Sequence, residues 1–385
     1  MICKYNDKCG GCPYRNLDEQ KYQNNKFEHF CKQIAQIKQT NIKIASPIFI
    51  ADGTRRRAEM TFSYQKGHLF LGFNAFQSHD IIDVEECPLL TKKINRIIPE
   101  LRPFLIDLCH QKTREKVKNK IKEETISEGE IWLTETANGI DLLLEINNKL
   151  SLDHRLIICD FANSNDSIIR ISVSIKNSSP ETIIEKSRPY INIADIPVYI
   201  PSGTFLQASS EGEKALTSVV TLYIGNTTGN IADLFCGVGT FSYPLAKNIN
   251  NKITAIDSSE ELLSGFKRTI NQNMIPNIEI VRKNLFKYPL TPDELKKFDI
   301  IIFDPPRAGA SNQIKQLSYL SENEKPKKII AVSCNPNTFI NDANLLISSG
   351  YIIKEITMID QFTYSPHNEL VALFEKQQGE KNEYQ

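Results

Sequence analysis

Short apolar runs, each closed by a polar or glycine-bearing loop and followed by a helical pattern, fill the C-terminal half of this sequence. From Asn230 the runs are NIADLF, KITAID, IEIVRKN, FDIIIFD and KKIIAVS. Buried strands alternating with helices in this way predict a parallel, doubly wound α/β sheet. Two further runs, YIIKEITMI and ELVALFEK, are joined by a loop without a helix, which predicts an antiparallel pair closing the sheet edge.

The N-terminal half has another rhythm. A helical stretch runs from Leu17 to about Lys38. Strand-like patterns follow between Ile48 and Val84 (AEMTFSYQ, HLFLGF, HDIIDV), with Lys66-Gly67 as a hairpin turn. Residues 89–122 read as helical, and residues 130–200 return to strands, including EIWLTET, DLLLEI and SIIRISVSI. This half predicts an α+β unit, an antiparallel sheet flanked by helices. The expected division is 1–200, then 201–376, then a polar, disordered tail at 377–385.

A chain of 385 residues, 41% apolar and 24% charged, fits a globular protein of two or three domains. No apolar run approaches the ~20 residues of a membrane span, and MICKYNDKCGGCPY lacks the apolar region of a signal peptide. A cytoplasmic monomer is expected. Lysine plus arginine equals aspartate plus glutamate at 46 each, so nucleic-acid contact has to come from local patches. The Arg55-Arg56-Arg57 triplet leads into an alternating strand and can sit on a sheet facing RNA; Lys112 to Lys122 reads as a solvated mixed-charge helix.

The candidate chemistry collects at strand ends, where doubly wound sheets bind ligands. The first strand runs into Asp233-Leu-Phe-Cys-Gly-Val-Gly-Thr-Phe241, whose glycines let the backbone approach a ligand. The second ends at Asp257, placed to hold ribose hydroxyls or to cap the helix begun by SSEELL. The loop is not GxGxxG and offers no strong pyrophosphate cradle, which favours S-adenosylmethionine over a dinucleotide. The fourth strand ends in Asp304-Pro305-Pro306-Arg307, where paired prolines hold the loop extended and rigid. The fifth ends in Ser333-Cys334-Asn335-Pro336. A free thiol titrates near ~8.5 and must ionise to attack, a step the amides of the following helix can assist. Cys236 competes as a nucleophile but precedes the glycine turn and reads as structural or cofactor-side. Glu369, in His367-Asn368-Glu369, is a candidate general base or a surface carboxylate at a strand start.

Nine cysteines, unevenly spaced, argue against a disulfide framework. Cys31, Cys109 and Cys159 lie in apolar patterns and read as core. Cys3, Cys9 and Cys12 are spaced C-x5-C-x2-C, and Cys87 precedes a proline. Four such thiolates can hold zinc or an iron–sulfur cluster, and spacing alone does not choose.

Taken in order, SGTFLQAS, DLFCGVGTF, DPPRAG, SCNPNTF and QFTYSPHNE resemble the RNA uracil-C5 (5-methyluridine) methyltransferase family. The resemblance is strong over the C-terminal half and extends to the N-terminal half through the cysteines. It implies a Rossmann-like methyltransferase fold, with Cys334 as the nucleophile that adds to C6 of uracil and Glu369 as the base that removes the C5 proton. It implies that Asp304 binds the uracil edge or lines the cofactor pocket, and that Gln207, Phe235, Thr240, Asp257 and Asn284 line the S-adenosylmethionine pocket. It also implies a [4Fe-4S] cluster on Cys3, Cys9, Cys12 and Cys87. The cluster points to a uridine of 23S rRNA rather than tRNA. Some rRNA members carry an N-terminal RNA-binding barrel, for which no room is expected before Cys3.

Two departures stand out. The family's Phe-x-Gln-x-Asn reads Phe205-Leu-Gln207-Ala-Ser209 here, and its Pro-His-Thr reads Thr363-Tyr364-Ser365. The rival readings are an amino-group methyltransferase and a non-catalytic iron–sulfur RNA-binding protein. The first favours an aromatic residue after the two prolines, where Arg307 stands. The second has no use for Cys334 and Glu369.

Overall fold

The computed structural model describes residues 3–117, 120–176 and 178–377. The five expected parallel strands form at Asn230–Leu234, Lys252–Asp257, Ile278–Arg282, Ile300–Phe303 and Lys328–Ser333. Asn230–Leu234 lies centrally, with Lys252–Asp257 on one side and Ile300–Phe303 on the other. Strand order therefore reverses there, which opens a crevice at the carboxyl ends. Both faces of the sheet are covered, so the strands read as continuous apolar runs. Ile231, Ile253, Ile300 and Val332 pack on one side, and Leu234, Ile256, Ile301 and Ala331 on the other.

Glu369–Lys376 pairs antiparallel with Lys328–Ser333, and Tyr351–Asp360 pairs antiparallel with it in turn. That hairpin does not close the sheet, contrary to expectation. Lys43–Ile44 and Ile48–Phe49 lie outside it, parallel to Tyr351–Asp360. Each has only two residues, too short to carry a periodicity. The helix Glu19–Ile34 also packs here, sending Phe30 and Ile34 into the same core. The hairpin of Tyr190–Ile193 and Ile196–Tyr199 adds Ile191, Ile193 and Val198 to the opposite core. Of residues 19–49, expected in the N-terminal unit, the helix thus packs on the C-terminal core and the two short strands extend its sheet.

The second sheet has the order Glu181–Glu185, Ile168–Ile175, Ile140–Ile146, Glu128–Glu135, Arg57–Gln65, His68–Asn74, Ile81–Asp83. At its expected hairpin turn Lys66 and Gly67 have φ of 51° and 80°, the left-handed pair of a type I′ turn. Its pairing is not wholly antiparallel, because the helix Leu152–Ser164 crosses between Ile140–Ile146 and Ile168–Ile175 and leaves them parallel. The helix expected over 89–122 is Lys92–His110, capped by Thr91. Beyond it Lys112–Val117 and Lys120–Thr125 pair as a hairpin. The β-branched residues 113, 117, 121 and 125 favour extended backbone over the helix that the Lys and Glu content suggests. The tail beyond Gln377 lies outside the described residues. No described helix is long and apolar enough to cross a membrane.

Candidate active site

Ser333 and Leu370 are the last registered pair between two antiparallel strands. The next residue of one strand is Cys334, just past its end, and the preceding residue of the other is Glu369, still held in the sheet by its pairing with Ile359, so the two lie side by side at the sheet edge. Asp304 follows the neighbouring strand, in which Phe303 is registered with Ala331. The three groups therefore meet at one carboxyl edge. The Asp304-Pro-Pro-Arg307 loop is tied down by Asn335 Nδ2 and Thr338 Oγ1, which donate to the Arg307 carbonyl at 3.1 and 3.4 Å.

Glu369 is not a surface carboxylate: only 5% of it is exposed. Burial, reinforced by Asp304, pushes its pKa up to about 8, against the opposing pull of Gln361 and Arg307. Burial also carries Asp304 to about 7. Cys334 is half-buried, and its thiol is raised to about 11 by burial, then by Glu369 and Asp304. Here the helix-terminus expectation fails. The helix Pro336–Ser348 does start beside Cys334, with Asn335 as its N-cap, but burial and two carboxylates outweigh the amides. The thiol carries its proton in the free protein.

Gln361 belongs to this site and was missed in the sequence. Its Nε2 donates to Gln207 Oε1 at 2.6 Å and to Glu369 Oε1 at 3.2 Å, while its Oε1 accepts from the Ala208 backbone amide at 3.2 Å. Gln207 Nε2 reaches Asp304 at 3.5 Å. The loop carrying Gln207 is held from the other sheet. Arg56 donates from Nε to the Gln207 carbonyl and pairs with Glu213 at 2.7 Å, both side chains buried. Arg57 donates to the Leu206 carbonyl at 2.6 Å and lies over the ring of exposed Phe205. Of the triplet expected to face RNA, Arg56 instead turns inward, and only Arg55 is fully on the surface. Ser209, where the family has Asn, caps the helix Ser210–Ile224 by accepting from the Gly212 amide.

On the glycine loop, Asp257 accepts from the Gly237 amide at 3.0 Å and the Ser259 amide at 2.9 Å, so it ties the loop to the turn in which Ser259, not Asp257, caps the helix Glu260–Gln272. Gly237 has φ of 53° with open space where a side chain would stand. Phe235 takes φ of 62°, rare for a residue with a side chain and typical of functional loops. It packs against Phe286 at 5.3 Å. Asn284 accepts from the Phe286 and Lys287 amides at 3.1 Å. Buried Asp233 bonds Ser242 through one oxygen, and its other oxygen has no partner. Thr240 is half-buried in the same loop, and Cys236 is buried with its thiol raised well above the usual range. The loop is thus fixed by Asp257, with room at Gly237 for a ligand to approach its backbone.

Cys3, Cys9, Cys12 and Cys87 come together around one small cavity, with Tyr5 and Arg15 in its wall. Asn95 pins Cys87, accepting from its amide and donating to its carbonyl. Among the described residues, no three or more His, Cys, Asp or Glu side chains are grouped to hold a metal ion. Arg15 grips Asp52 at 2.8 and 2.9 Å and lies 4.2 Å over the Tyr364 ring, so the cysteine segment is braced against the loop carrying Gln361 and Glu369.

A doubly wound sheet with a Gly-x-Gly loop after its first strand and reactive side chains after its fourth and fifth defines a Rossmann-like methyltransferase. Residues 190–377 match the family described as tRNA (uracil-5-)-methyltransferase. An uncharacterized RNA methyltransferase of Brucella suis is 32% identical over 376 residues, 97% of this chain and 84% of that protein. The 23S rRNA (uracil(1939)-C(5))-methyltransferase of Mannheimia succiniciproducens is 27% identical, over 97% of this chain and 81% of its own length. The crystal structure of Pyrococcus abyssi tRNA (uracil-54, C5)-methyltransferase, in complex with S-adenosyl-L-homocysteine, shares the fold. Its TM-score is 0.72 at 24% identity, over 94% of this chain and 85% of that one. The chain belongs to the RNA uracil-C5 methyltransferase family.

Proposed function

We propose that this protein methylates C5 of a uridine in 23S rRNA through a transient bond between Cys334 Sγ and C6. The observation that carries the reading is the placement of Cys334, at the end of one strand, beside buried Glu369, at the start of the antiparallel neighbour. When bound, S-adenosylmethionine supplies a methyl group on a positive sulfur. Gln207, Phe235, Thr240, Asp257, Asn284 and Asp304 would hold it. C5 of uracil is too weakly nucleophilic to take that methyl unaided. The Cys334 thiol gives its proton to a neighbouring carboxylate and its sulfur adds to C6, which places the electron pair of the C5–C6 bond on C5. After C5 takes the methyl, Glu369 removes the C5 proton. The C–H pair re-forms the double bond and expels Cys334 as thiolate, which regains its proton. The target base leaves its stack to reach Cys334. The carboxylates' elevated pKa values suit this exchange, since both titrate near neutrality.

The four cysteines hold a [4Fe-4S] cluster in this reading. A single zinc ion draws four sulfurs to about 2.3 Å from one point, whereas a cluster takes each thiolate on its own iron. The shared cavity that brings the four cysteines together supports this reading. The cluster, and the 27% identity to an rRNA enzyme, favour rRNA as the target. The protein acts as a cytoplasmic monomer in the same reading.

The test is transfer of labelled methyl from S-adenosylmethionine to purified rRNA and tRNA, followed by nucleoside analysis. Label in 5-methyluridine from 23S rRNA is expected. Label from tRNA alone would replace the substrate, and label in a base amino group would replace the reaction.

A further inference from the structure

We infer that Gln361 is a positioning residue for the reaction: its side-chain amide sets the orientation of both Glu369 and Gln207. The inference rests on the proposed role of Glu369 as base. Gln361 is buried, with 4% exposure. The residue before it is anchored twice, since Asp360 accepts from Lys26 Nζ and from the Tyr22 hydroxyl, each at 2.5 Å. The backbone at 361 is therefore held in place.

The direction of the amide follows from one donor. The Ala208 backbone N–H can only donate, so the group it meets at 3.2 Å is Oε1 of Gln361. Nε2 must then face the other way, where it donates to Gln207 Oε1 and Glu369 Oε1. With its oxygen occupied, Gln207 in turn presents its own Nε2 to Asp304. One main-chain amide thus orders two glutamines between the carboxylates. A donor on Glu369 favours its ionised form, the form a base requires, against burial and Asp304.

The surrounding structure keeps room for this side chain. A Cβ at Gly212, in the first turn of the helix Ser210–Ile224, would stand 2.6 Å from Gln361 Oε1 and 2.9 Å from its Cβ. No side chain fits at 212 while Gln361 holds its place.

The experiment compares wild type, Gln361→Met, Gly212→Ala and Glu369→Gln with RNA and S-adenosylmethionine. It follows kcat, KM and the fraction of protein bound covalently to RNA on denaturing gels. Methionine keeps the volume and removes the donors. In Gln361→Met, kcat should fall roughly ten- to a hundredfold, the scale of one hydrogen bond to a charged group, with KM for RNA within about twofold and KM for S-adenosylmethionine raised, because Gln207 loses its orienting partner. Covalent adduct should accumulate, because addition to C6 proceeds while proton removal slows. Gly212→Ala should do the same to a smaller degree. The pH at which adduct resolves should move upward, since Asp304, Arg307 and Cys334 still face Glu369 and only the neutral donor is gone. Adduct in Glu369→Gln but wild-type turnover in Gln361→Met would overturn the positioning role alone. No adduct in any variant, with turnover retained in Glu369→Gln, would overturn the proposed mechanism and the role of Gln361 with it.

Discussion

Cys334 and Glu369 stand one step beyond the same registered strand pair, Ser333 with Leu370. The sheet therefore sets their separation: Glu369 is held in the ladder opposite Ile359, and Cys334 follows directly on the paired Ser333. The arrangement costs the thiol its ease of ionisation, since the carboxylate beside it helps raise Cys334 to about 11.

Turnover should accelerate with pH. Glu369 acts ionised and has a pKa of about 8, and Cys334 attacks as thiolate from about 11. Both requirements point the same way, so kcat should climb from pH 6 through pH 8 without an earlier plateau. A rate that is flat or falls across that range would contradict these assignments.

Stability should show the same carboxyl with the opposite benefit. Below its unfolded value, near 4.5, Glu369 is protonated in both states and contributes nothing. Between 4.5 and about 8 only the unfolded chain ionises it, so stability falls as pH rises, and above 8 the full cost remains. Glu369→Gln should thus match wild type near pH 4 and exceed it by roughly a few kcal/mol at pH 9, at 1.36 kcal/mol per unit. Urea unfolding at the two pH values measures the difference.

The Arg56–Glu213 pair, both side chains less than 10% exposed, ties the start of the strand Arg57–Gln65 to the helix Ser210–Ile224 beside the Gln207 loop. Arg56→Met should cost about 3–5 kcal/mol by leaving Glu213 charged, buried and unpaired. Arg56→Met with Glu213→Leu should recover much of that loss. Equal destabilisation in the single and double variants would mean that the two residues do not act as a pair.

Anaerobic purification should give a brown protein with about four irons per chain. Cys12→Ser should lose colour and iron. A colourless protein holding one zinc would contradict the cluster.

Much of this site was legible in the sequence because the ends of parallel strands are where such sheets place ligands. Asp257, Asp304 and Cys334 each close or follow an apolar run, so their placement at carboxyl ends of strands was readable from the sequence alone. Gln361 could not be read, because its partners Gln207 and Glu369 lie 154 and 8 residues away, and neither spacing marks a contact. Arg56 misled, since an arginine in a basic triplet resembles an RNA contact until Glu213, 157 residues on, is seen to bury it. The two-residue strands at Lys43–Ile44 and Ile48–Phe49 form only because the Tyr351–Asp360 edge offers them partners.

The covalent step is tested most directly by RNA carrying 5-fluorouridine, whose fluorine no base can remove as a proton. Incubation with S-adenosylmethionine should arrest the reaction as a stable protein–RNA adduct, and digestion with mass spectrometry should place the methylated fluorouridine on Cys334. Absence of an adduct, or its appearance on Cys236, would contradict Cys334 as the nucleophile.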